Sequence, residues 1–155
     1  MNFRRIRPHF VTSTIWIAVL TLTCFPCPAP AEELKLEAQL IWGTNEPKSP
    51  NPDHKPVEQK VAQKLKDLPF KWSHYFEVTR KTFTVRKNDS RQVTLSEECE
   101  IHVRQLEDDQ VELTLFGKGK RVGRITQKLP KSEMLVLGGN APNYTAWFVV
   151  LRRKD

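Results

Sequence analysis

Cysteine is scarce in this chain. There are three, and Cys24 and Cys27 both fall in a leading segment that reads as removable, which leaves Cys99 alone. One thiol rules out an internal disulfide framework, so the fold must stand on its apolar core. Histidine is equally thin. His54, His74 and His102 show neither H-x-H nor H-x-x-x-H spacing, so the sequence implies no zinc centre. Glycine supplies no phosphate cradle: Gly138-Gly139-Asn140 follows an apolar run, but no helical pattern comes after it, and a turn is expected there. The acidic run Glu107-Asp108-Asp109 lacks the alternating spacing and the glycine of a calcium loop and reads as a solvated turn. No cofactor is implied.

What the first residues do contain is a targeting pattern. Arg4, Arg5 and Arg7 precede an apolar stretch over 10–25, and Ala29-Pro30-Ala31 places small residues where a signal peptidase reads them. Together these describe a secretory signal peptide over 1–31, cleaved between Ala31 and Glu32. The apolar stretch is too short to span a bilayer comfortably, and Pro26, Pro28 and Pro30 break it. Cys24-Phe25-Pro26-Cys27 would elsewhere suggest redox or metal chemistry; here it is discarded with the leader. Thr23 and Pro26 are poor residues before a lipidated cysteine. The localisation expected is periplasmic or extracellular.

Removing 31 residues from 155 leaves 124, the size of one domain. The full chain has 25 Lys+Arg against 18 Asp+Glu, and the leader holds three of the bases and none of the acids, so the remainder carries +4. That mild excess falls short of a dedicated nucleic-acid binder.

The body of the chain is patterned for strands. Thr145 to Leu151 is short, uninterrupted and rich in β-branched and aromatic side chains, as a strand covered on both faces should be. Trp147, Val149 and Leu151 would point one way and Ala146, Phe148 and Val150 the other. Glu32 to Trp42 alternates apolar and polar residues, predicting a strand with one wet face that ends at Gly43-Thr44-Asn45. Pro47, Pro50, Pro52 and Pro56 then stiffen a polar loop without regular structure, and its P-x-x-P reads as an exposed linker. One amphipathic helix is expected at about 56–68. Pro56 would sit in its first turn, Val57, Val61, Leu65 and Leu68 would form its apolar stripe, and Pro69 would stop it.

From Phe70 onward turn residues recur at close, regular intervals. The apolar parity changes around Arg80-Lys81, implying a bulge there. Lys87-Asn88-Asp89-Ser90 predicts a hairpin turn, followed by turns at 107–110, 117–120, 130–132 and 138–143. The fold class expected is therefore mainly β with one covering helix, a small antiparallel β-sandwich or barrel in a single domain over 32–155.

Chemistry is sparse. Cys99 lies among Glu97, Glu98 and Glu100, which disfavour a thiolate, and in a strand His102 would point away from it. A buried structural thiol is the reading, and no residue is assigned a catalytic role. Lys118, Lys120, Arg121 and Arg124 cluster on one hairpin, and Arg152, Arg153 and Lys154 close the chain; both groups could meet an anionic glycan or lipid, or could simply protect sheet edges. Asn88-Asp89-Ser90 and Asn143-Tyr144-Thr145 fit N-x-[ST], which matters where secreted proteins are glycosylated.

Leu40-Ile41-Trp42-Gly43-Thr44-Asn45, the Lys-rich helix ending in Leu65-Lys66, Phe70-Lys71-Trp72 with Tyr75-Phe76-Glu77-Val78, and Leu137-Gly138-Gly139 before Thr145–Leu151 together resemble a family of small secreted β-rich bacterial proteins of the Verrucomicrobia type. The resemblance covers the body of the chain and implies export and a β-rich fold; it implies no activity and no functional residue. The strand-then-Gly-Gly close is also similar, in a general way, to domains of secretin and pilus machinery. The function expected is a non-catalytic binding or accessory module of a cell-envelope assembly with an envelope protein partner. The alternatives are an anionic glycan or lipid binder through the basic hairpin, and an enzyme using Cys99. No nucleic acid or small-molecule substrate is inferred.

Overall fold

The computed structural model describes residues 33–107 and 109–154. The expected signal peptide, Cys24, Cys27 and Asp108 lie outside the described residues. Nine strands and one helix follow in the order β1 (Glu33–Thr44), β2 (Lys55–Pro56), α1 (Gln59–Lys66), β3 (His74–Arg86), β4 (Ser90–Ser96), β5 (Cys99–Gln105), β6 (Gln110–Gly117), β7 (Lys120–Lys128), β8 (Met134–Ala141) and β9 (Thr145–Arg153). They form two sheets, ordered β2-β3-β1-β9-β8 and β4-β5-β6-β7. All pairings within them are antiparallel. The result is a small antiparallel β-sandwich.

Two apolar layers hold it. Between the sheets lie Leu34, Leu36, Ala38 and Leu40 of β1 and Val149 and Leu151 of β9, facing Ile101, Val103, Val111, Leu113 and Leu115 of the second sheet. The outer face of the five-stranded sheet buries Ile41, Tyr75, Met134, Ala146, Phe148 and Val150 beneath Val61 and Leu65 of α1. β9 is therefore covered on both faces, as its composition requires. Phe148 is the hub of the outer layer, with ring centroids 4.5 Å from Phe70, 5.7 Å from Trp72 and 5.9 Å from Tyr75. It fits because glycines lie under its ring on both flanking strands, Gly138 directly opposite on β8 and Gly43 diagonally on β1. A Cβ on Gly43 would come within 2.8 Å of the Phe148 ring, and one on Gly138 within 2.4 Å.

That packing corrects two turn assignments. β1 continues through Gly43 and Thr44, and β8 through Gly138, Gly139 and Asn140, so these residues sit in strands and the turn follows at Pro142–Tyr144. The glycines are there to admit an aromatic ring.

The helix is shorter than its apolar stripe suggests. Pro56 belongs to β2, paired with Phe76 of β3, and α1 ends at Lys66 with Asp67 as its C-cap, before Pro69 is reached. The loop from 45 to 58 thus contains a short strand, contrary to the expectation that none would form. The parity break in β3 falls at Val78, where Leu40 pairs with Thr79 and Ile41 with Glu77, two residues before the expected place.

Lys87-Asn88-Asp89-Ser90 is a tight turn, with the Asp89 N–H donating to the Arg86 carbonyl (3.0 Å) and Asn88 at φ 62°. It does not make a hairpin, however, because β3 and β4 belong to different sheets. It is the corner that folds one sheet over the other. Among the described residues no helix is long and apolar enough to cross a membrane.

Candidate binding cleft

The wet face predicted for β1 is wet at Glu33 and Lys35 but not beyond them. Glu37 and Gln39 are each 1% exposed. Glu37 pairs across the sheet with Arg152 and Gln39 with Arg80, so three rows of the outer face bring their long polar side chains together. Arg152 Nη2 lies 2.5 Å from Glu37 Oε1, and Lys154 Nζ donates to Glu37 Oε2 (2.9 Å). Glu58, just before α1, accepts from Arg152 Nη1 (2.9 Å) and from Arg80. Arg80 also donates through Nε to Glu77 (3.1 Å). Three carboxylates thus face three cations.

Burial pushes the Glu37 carboxyl up, but the hydrogen bonds from Lys154 and Arg152 and the adjacent guanidinium charges outweigh it, leaving it below the usual range. The Arg152 hydrogen bond, helped by Arg80, holds Glu58 down at about 2. Every member has an opposite charge in contact, so the cluster is a structural tie between α1, β1, β3 and the chain end. Arg152 and Lys154, expected as an exposed terminal patch, are spent inside it, and Arg153 pairs with Asp109 (2.8 Å). The sequence signal that could have found the cluster is Glu37, set between Leu36 and Ala38, together with Arg152, which directly follows the apolar run ending at Leu151.

The basic hairpin divides in the same manner. Lys118 Nζ lies 3.4 Å from Glu98, and Arg124 Nη2 lies 2.7 Å from Glu112. Lys120 and Arg121 are exposed and have no acidic partner among the described residues.

Cys99 lies on the inner face of β5, 7% exposed, and burial raises its thiol to about 11. His102 lies on the other face, against Glu100 (2.8 Å) and the ring of Phe116 (4.5 Å). His54 does line the same cleft as Cys99, yet its Nδ1 faces Ser49 Oγ (2.8 Å). No described group is placed to activate the thiol. Among the described residues no cluster of metal-ligating side chains occurs.

That cleft encloses about 1190 Å³ at the end of the sandwich where β1 finishes and β9 begins. Trp42 and Trp147 are directly opposed across β1 and β9 and line one wall, both partly exposed. Leu40, Val78 and Cys99 line it deeper, and the proline-stiffened loop at 46–50 makes one lip. The facing lip is fixed by Lys118, whose backbone N–H donates to the Glu98 carbonyl (2.8 Å), tying the β6–β7 turn to the β4–β5 turn. His54 packs on Trp42 with centroids 6.1 Å apart, and Phe76 does so at 6.0 Å.

Fold and cleft together define a β-sandwich whose sheets part at one end over two tryptophans. Comparison with family models, curated proteins and solved structures gives no match for this chain.

Proposed function

We propose that this chain is an exported, non-catalytic binding module of a cell-envelope assembly, and that it holds an apolar segment of a protein partner in the cleft between its sheets. The observation that carries the reading is the opening itself: about 1190 Å³ with Trp42 and Trp147 as its wall. Natural binding sites are concave, mostly apolar and anchored by a few aromatic side chains, and two partly exposed tryptophans supply such anchors. The rim carries both signs, Glu46 and Glu98 with Lys48 and Lys118, which suits a protein surface better than a uniformly charged polymer. Export is the part that rests on the leading residues, through Arg4, Arg5, Arg7, the apolar stretch and Ala29-Pro30-Ala31. The raised thiol and the diverging histidines support a non-catalytic role.

The test is crosslinking in the native host, purification of a tagged copy and mass spectrometry of what is retained. One stoichiometric envelope protein, lost from a Trp42→Ala variant that still folds by circular dichroism, is the expected result. Retention of that protein by the folded variant would place the contact elsewhere. Recovery of salt-eluted anionic glycan or lipid in place of protein would move the function to Lys118, Lys120, Arg121 and Arg124.

A further inference from the structure

The β8–β9 turn carries a side chain that packing does not explain. Tyr144 is 92% exposed, and its backbone sits at φ 55° directly after Asn143 at φ 60°. Two successive left-handed residues make a primed hairpin turn, where glycine is the ordinary second residue and a bulky aromatic is strained. Trp72 holds the turn in place by donating its Nε1–H to the Tyr144 carbonyl (2.9 Å). Strain retained around an exposed ring points to a use for that ring.

Beside the turn lies a second hollow of about 700 Å³, which meets the tryptophan cleft at Asn143 and Thr145. Its accessible aromatic surfaces come from Phe70, Trp72 and Tyr144; Phe148 lies beneath them, buried, with Gly138 and Gly139 beside it. Apart from Lys71, the Tyr144 hydroxyl and the Thr145 hydroxyl, which donates to the Pro142 carbonyl (2.8 Å), its polar side chains are amides. Asn45, Asn140 and Asn143 are all exposed on its rim, and the side chains of Asn140 and Asn143 have no protein hydrogen-bond partner among the described residues. Asn45 Oδ1 accepts from Ser73 (3.0 Å), which leaves its amide N–H groups pointing to a ligand or to water. Lys71 is the single charged residue among those lining the hollow.

Ring faces combined with neutral amides suit a ligand that has an apolar face and a rim of hydroxyl groups. A sugar ring has that chemistry: its axial C–H groups lie on an aromatic face while its hydroxyls pair with amide donors and acceptors. A lipid tail would leave the three amides unsatisfied, and an anionic polymer would find one lysine. We propose that this hollow binds a neutral saccharide, with Tyr144 and Trp72 as the stacking surfaces and Asn140, Asn143 and Asn45 as the hydrogen-bonding rim. The site shares Asn143 and Thr145 with the tryptophan cleft but none of the cleft's tryptophans, and the proposal does not depend on the protein-partner reading.

The experiment is saturation-transfer NMR on the folded protein with maltotriose, cellotriose and chitotriose as probes. At least one is expected to receive saturation on its ring protons, with affinity of order millimolar. Tyr144→Ala and Asn140→Ala should each weaken it by about tenfold, while Trp42→Ala leaves it unchanged. Because Tyr144 is almost wholly exposed, its loss will not unfold the protein. No transfer to any of the three sugars at about 10 mM, or an affinity unchanged in Tyr144→Ala, would overturn the proposal.

Discussion

At the scale of single residues, Phe148 shows how one ring dictates its neighbours. It can lie flat against the sheet only because Gly43 and Gly138 flank it on the adjacent strands, and a Cβ on Gly138 would also meet the Trp147 carbonyl at 2.8 Å. Backbone cannot retreat as a flexible side chain can. Gly138→Ala should therefore destabilise by about 1–3 kcal/mol through overpacking, read as a lower denaturant midpoint with an unchanged slope. A second residue-scale lesson concerns Cys99. Its alternation with Ile101 and Val103 pointed to a buried thiol, and the thiol is buried. The companion reading of Glu37 as solvated was wrong for a reason that alternation cannot show. A period-two pattern separates two faces of a strand, but whether the polar face meets water depends on what other strands bring to it.

At the scale of elements, α1 is eight residues long, too short to persist alone. It is held by Val61 and Leu65 against the outer face and by Glu58, which two arginines grip just ahead of its first turn. Leu65 is fully buried, so Leu65→Ala should cost about 2–5 kcal/mol. Because the inter-sheet core does not include it, hydrogen exchange should show the helix amides losing protection while those of β5 and β6 keep theirs. Equal loss across all strands would mean that the helix and the sandwich form one cooperative unit. The helix stripe was legible from Val57, Val61 and Leu65, but its start was not. Pro56 fits a first helical turn and an edge strand equally well, and pairing with Phe76 decided between them.

For the whole molecule, the cluster around Glu37 links four segments that are distant in sequence, so it bears on global stability. Glu37 and Glu58 both titrate below their ordinary value of 4.5 in the folded state, Glu58 at about 2. A depressed carboxylate stabilises the fold above its unfolded pKa, and that contribution is lost as pH falls through the folded value. Stability should hold near neutrality and decline progressively from about pH 4.5 toward about 2. Glu37→Gln would leave Arg152 and Lys154 facing a neutral amide on a buried strand, so it should cost about 3 kcal/mol at neutral pH and flatten the acid limb of the curve. A variant with the same acid limb as the parent would show that Glu37 adds nothing to the pH dependence and leave Glu58 as its source.

Sequence by itself determined what depends on neighbours along the chain. Alternation at Cys99–Val103 and Val111–Leu115 marks half-buried strands, the unbroken run Thr145–Leu151 marks a strand covered twice, and Val61 with Leu65 marks a helix face. These signals are local because side-chain direction repeats every two residues in a strand and every 3.6 in a helix. Tertiary structure decided what depends on meeting a distant segment. Whether Lys87–Ser90 closes a hairpin or turns a corner between sheets depends on the partner each strand finds, and β3 finds β1 while β4 finds β5. Glu37 is buried because Arg80, Arg152 and Lys154 converge on it, and Trp42 and Trp147 form one wall because register sets them opposite each other. Pairing register and charge convergence are fixed by contacts between distant segments, those of Arg152 and Lys154 with Glu37 spanning more than a hundred residues, and no local periodicity encodes them.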